Sequence, residues 1–112
     1  MLNESPSLDR VFHALSDSTR RAMVERLALR PMSVSELASP FAMSLPAVMQ
    51  HLAVLEESGL VRSHKAGRVR TCRIDPQTFG LVERWMADCR SEWESRLDKL
   101  EDYINTLKGQ QK

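Results

Sequence analysis

Cysteine is scarce in this chain: there are two among 112 residues, Cys72 and Cys89, and neither belongs to a C-x-x-C pair. That argues against a disulfide scaffold and against a zinc module. No apolar run approaches the roughly 20 residues that a membrane-crossing helix requires. The opening "MLNESPSLDR" lacks the basic and apolar regions of a signal peptide. The expectation is a cytoplasmic protein with no membrane partner. Internal repeats are absent, and the one low-complexity stretch is the short polar tail "GQQK". Ser, His and Asp occur, but no nucleophile elbow, glycine-rich phosphate loop or metal-ligand cluster frames them. Neither an enzyme nor a cofactor is indicated. Charge of one sign is lacking too: the net charge is +1, which by itself implies no polyanionic partner.

What is present has the balance of a globular protein, 42% hydrophobic and 28% charged, at a length that suits one domain over residues 1–112. The charges are unevenly placed. "RSHKAGRVRTCR", from Arg62 to Arg73, holds five cations and no acid, whereas acids and bases alternate from Glu83 to Asp102. The first stretch is a local basic patch and the second a solvated helix surface.

The spacing of apolar residues predicts a mainly helical chain. A short helix starts at Ser7 or Asp9 and runs to Leu15, with Leu8, Val11, Phe12 and Leu15 on one face. A second, capped by Asp17 or Ser18, buries Ala22, Met23, Val24 and Leu27 and stops before Pro31. Ser33 and Glu36 form a capping-box pattern at the start of a very short helix that Pro40 closes. Ser44 caps the next helix, "SLPAVMQHLAVLEESGL", whose apolar stripe is Val48, Leu52 and Leu55 with Leu45 added. Gly59 supplies its left-handed C-terminal cap. Then the period changes: "LVRSHK" and "RVRTCRI" read as strands of a hairpin joined by Ala66-Gly67. Asp75-Pro76 opens a last helix that runs to about Lys108, with Gly109 just past its end. Its stripe is Phe79, Val82, Met86, Cys89, Trp93, Leu97, Leu100, Ile104 and Leu107.

Two helices joined by a short turn, then a hairpin, outline a winged helix-turn-helix: mainly α with a small β-hairpin, the second helix of the pair entering the DNA major groove. That explains why the helix from Ser44 opens with small and hydrogen-bonding residues and commits its second half to leucine. Ser44, with Pro46 in the first turn, presents N-terminal amides to a phosphate. Ala47 suits a thymine methyl, and Gln50 and His51 suit base edges or backbone. Lys65, Arg68 and Arg70 make the hairpin a wing for phosphates. Residues 7–76 form the DNA-binding core and 77–108 a dimerisation helix. The terminal stripe exceeds what a small core needs, so Met86, Trp93, Leu97, Leu100 and Ile104 are expected to meet a second copy, with Leu8, Val11 and Phe12 from the first helix.

"ALSDSTRRAMVERL", "VSELA", "SLPAVMQHLAVLEESGLV" and "AGRVRTCRID" follow one another as do the motifs of the ArsR/SmtB family of bacterial repressors, which the chain resembles over residues 8 to 76. The string Ser44–Val61 is the most specific part. The resemblance implies a homodimeric winged-helix repressor that leaves an imperfectly palindromic operator when an inducer binds. It also marks a departure. The cysteines of the family's metal-sensing motif fall on Ser33, Ser35 and Ala38, and a second common site needs histidine in the last helix, whereas none follows His64. Hydroxyls and a methyl do not replace thiolates for a soft metal. No metal site is therefore expected, and control is left to an organic effector, cysteine oxidation or repressor abundance. Two bland readings stand beside these: Cys72 and Cys89 as buried thiols, His13 as a surface residue. A winged-helix interaction module without DNA binding is the alternative function, and the basic wing argues against it.

Overall fold

A computed structural model describes residues 7–110. The first six residues and the last two of the "GQQK" tail lie outside the described residues. The chain divides into two compact units, one through Gly80 and the other from Leu81. In order the elements are α1 (Leu8–Ala14), α2 (Ser18–Leu29), β1 (Met32–Ser33), α3 (Val34–Ala38), α4 (Leu45–Ser58), β2 (Val61–Ala66), β3 (Val69–Ile74) and α5 (Pro76–Gln110).

The helices start where short oxygen-bearing side chains can satisfy the first free amides. Ser7 accepts from the Arg10 amide, Asp17 from Arg20, and Ser44 from Ala47. At α3 the bonding is reciprocal: Ser33 Oγ accepts from the Glu36 amide while Glu36 Oε1 accepts from the Ser33 amide, the capping box read from the sequence. Gly59 ends α4 with φ at 87°, in the left-handed region.

Inside the first unit, Val11, Ala14, Met23, Val24, Leu27, Leu37, Val48, Leu52 and Leu55 close the helices over Met32, Leu60, Val61 and Cys72 from the sheet side. Burying a side chain such as Leu52 or Leu55 is worth about 1.5–3 kcal/mol. Four features differ from expectation. Ala22 on α2 is only half-buried, and Leu45 is exposed because the buried stripe of α4 starts one turn later, at Val48. Val11 is fully buried among the core residues of its own chain, so it offers no surface to a partner, whereas its neighbour Phe12 is 40% exposed. The hairpin turn is Gly67-Arg68, one residue later than Ala66-Gly67, since Ala66 still pairs with Val69. Positive φ falls on Gly67 (63°) and not on Arg68, the pattern of a type II′ turn with glycine first.

The sheet has a third strand absent from the sequence reading. Its order is β1-β3-β2, all antiparallel, with Met32 opposite Cys72 and Ser33 opposite Thr71. Arg30, which precedes Pro31, is extended (φ −173°, ψ 160°), as a residue before proline prefers, and this carries the chain along the edge of β3.

The second unit is the rest of α5. The helix continues through Gly109 to Gln110, so that glycine is not its stop signal. Met86, Trp93, Leu97, Leu100, Ile104 and Leu107 are 40 to 62% exposed in the single chain, and Cys89 on the same stripe is exposed, not buried. Arg96 bonds Glu92 at 3.1 Å, an i,i+4 pair of the solvated surface.

Candidate nucleic-acid interface

Leu52 and Leu55 fix the C-terminal half of α4 in the core, and Ser58 closes that end: its buried hydroxyl donates to the Leu55 carbonyl and accepts from the Leu60 amide. The N-terminal half is left out. Ser44, Leu45, Pro46, Met49 and Gln50 are exposed, and Ala47 is half-buried. An exposed helix start, positive by its dipole, is suited to an anion, although here Ser44 already takes the Ala47 and Val48 amides, through its Oγ and its carbonyl.

The wing stands after it. Lys65 and Arg70 lie directly opposite one another across the β2–β3 ladder, and Arg68 occupies the turn; all three are exposed. Like charges facing across a strand pair destabilise it. A neighbouring cation is treated differently: Arg62 donates to Asp75 Oδ2 at 2.8 Å. Burial pushes the Asp75 carboxyl up, but the Arg62 guanidinium and the Gln77 amide outweigh that and hold it below the usual carboxylate range. Among the described residues no carboxylate pairs with Lys65, Arg68 or Arg70; Arg70 donates only to Ser63 Oγ, at 2.8 Å. The wing therefore keeps its charge available.

A surface depression of about 360 Å³ joins α3, α4 and the wing, lined by Ser33, Ser35, Leu45, Met49, Val69 and the three wing cations among others. Leu45, Met49 and Val69 were not singled out by sequence for this face; an exposed apolar residue beside a buried stripe carries no mark of its own. Gln50 does not line the depression. His51 does not line it either, and its Nδ1 edge is engaged by α2: Nδ1 is 3.3 Å from Arg20 Nη1 and 3.8 Å from Asp17 Oδ2. His13 is exposed on α1, and Cys72 is fully buried on β3, where burial pushes its thiol up to about 11. Ser33, at one of the family's cysteine positions, has its hydroxyl committed to the α3 cap.

A family model for a helix-turn-helix domain matches residues 15–64. The chain is also similar to the arsenical resistance operon repressor of Escherichia coli, 30% identical over 102 residues that cover 89% of this chain and 84% of that one. The chain belongs to the ArsR family of transcriptional regulators. A crystal structure of an ArsR family transcriptional regulator superposes with a TM-score of 0.73 at 52% identity, over 79% of this chain and 91% of that one. The HTH-type transcriptional regulator Rv2034 of Mycobacterium tuberculosis is 51% identical over 70 residues, 62% of this chain. The match spans 65% of Rv2034, less than two thirds of its length. The winged helix-turn-helix expected of an ArsR-family chain is the fold observed, with β1 as an addition to the hairpin.

Proposed function

We propose that this ArsR-family protein is a homodimeric repressor whose α4 enters the major groove of an imperfectly palindromic operator. The observation that carries the reading is the wing: two cations face each other across a ladder without a carboxylate, beside a helix whose polar start is exposed. A phosphate backbone removes that repulsion on binding, and its counterions are released. Lys65, Arg68 and Arg70 clamp phosphate. The exposed start of α4 at Ser44 and Pro46 meets another phosphate, Ala47 touches a base, and Gln50 reads one. The exposed stripe Met86–Trp93–Leu97–Leu100–Ile104 packs on its copy, with Leu8 and Phe12 as the contribution of α1. No metal is assigned to the site.

The test is binding of single-site variants to a duplex recovered from a random-sequence library by the wild-type protein. Arg68→Ala and Lys65→Ala lower affinity for all sequences and each reduce the salt slope by roughly 1. Gln50→Ala changes preference at one base position by about 1–3 kcal/mol. Equal losses on selected and random duplexes for Gln50→Ala and Arg68→Ala would show that base reader and phosphate clamp are wrongly assigned.

A further inference from the structure

Arg20 holds an unusual share of the polar contacts around α4, and the function above does not use it. Its Nε donates to the Ala14 carbonyl at 2.7 Å and its Nη2 to the His13 carbonyl at 3.2 Å. Both are carbonyls of the last turn of α1; the His13 carbonyl also accepts from the Ser16 amide and hydroxyl. The Arg20 backbone amide donates to Asp17 Oδ2 at 3.0 Å. The remaining arm, Nη1, reaches His51 Nδ1 on α4. One side chain thus spans the end of α1, the start of α2 and the recognition helix.

The chemistry of the last contact is one-sided. A guanidinium has donors only, so the imidazole must accept, and Nδ1 is then the unprotonated nitrogen. A neutral ring in that state carries its proton on Nε2. The alternative is present on the same side: Asp17 Oδ2, 3.8 Å from Nδ1, would draw a proton there if the ring turned to donate. Arg20 engages both groups, Asp17 through its amide and His51 through its side chain, and so opposes that state. DNA offers mostly acceptors to such a ring, as phosphate oxygens and as guanine N7 and O6, adenine N7 and thymine O4. A fixed Nε2–H matches them.

We propose that Arg20 is a positioning residue of the DNA interface, which acts by fixing His51 as an Nε2 donor toward an acceptor on DNA. The inference rests on the assignment of α4 to the major groove. Two measurements test it on the full chain. The first is the long-range ¹H–¹⁵N spectrum of the free protein in mildly alkaline solution. Here His51 shows a bare Nδ1 and a protonated Nε2, and Arg20→Met, which keeps the stem and removes the donors, shifts the ring toward the other tautomer.

The second is a double-mutant cycle on the library-selected duplex with Arg20→Met and His51→Gln. The glutamine amide places a donor near the Nε2 position without any choice of tautomer. Arg20→Met lowers affinity about tenfold in the His51 protein, the worth of one charge-assisted hydrogen bond, and has no effect in the His51→Gln background. A wild-type proton on Nδ1, or the same loss in both backgrounds, overturns the positioning role and leaves the DNA reading intact. Failure of the wild-type protein to retain any duplex overturns both.

Discussion

Cys72 and Cys89 share a residue type and differ in everything that decides thiol chemistry. Cys72 has no exposed surface, and its burial pushes the thiol up to about 11, so little thiolate exists near neutrality. Cys89 is exposed on α5. Iodoacetamide at pH about 8 is expected to alkylate Cys89 in the native chain when dimerisation is prevented, and to reach Cys72 only after unfolding, as peptide mass mapping would show. Rapid native labelling of Cys72 would mean that its strand opens readily. At this scale the sequence was informative where a residue acts on its own neighbours. Ser33, Ser44 and Glu36 cap as their spacing requires, because a cap bonds three residues away. Arg20 was passed over because its partner on α4 is 31 positions distant, and no local pattern encodes that contact.

Elements were legible where a period was long, which is why α4 and α5 stand close to where the apolar spacing put them, whereas α2 was bounded by its Asp17 cap and by Pro31. The two-residue β1 had no period to show; pairing with β3 creates it. Gly109 misled because a glycine costs a helix only about 1 kcal/mol, and α5 continues one residue past it, to Gln110. Where β3 meets α5, Asp75 ties the two elements: it accepts from Arg62 on β2 and from the Gln77 amide in the first turn of the helix. Its folded pKa lies below the ordinary value, so its stabilisation is fully present above pH of about 4 and is lost as the pH falls through the lower folded value. Urea midpoints measured from pH 7 down to pH 2 should fall more steeply for the wild-type chain than for Asp75→Asn. Parallel curves would mean that the Arg62–Asp75 pair contributes nothing to folding.

For the whole molecule, the proposed assembly turns on the apolar side chains of α5. Residues from Met86 to Leu107 repeat at threes and fours along one helix and are exposed in the single chain, a larger apolar face than an isolated soluble helix tolerates. Leu97→Glu combined with Leu100→Glu is expected to give a folded monomer in sedimentation, with operator affinity reduced at least a hundredfold because each half-site then binds alone. A wild-type monomer at micromolar concentration would remove this account of α5. The central claim joins both scales: two wings and two recognition helices, one set from each copy, on one palindrome. Hydroxyl-radical footprinting of the wild-type protein on its selected duplex tests it most directly. The account predicts two protected half-sites related by a dyad, with centres about 10 base pairs, or one helical turn, or a whole multiple of that, apart. A single protected segment without dyad symmetry would contradict it.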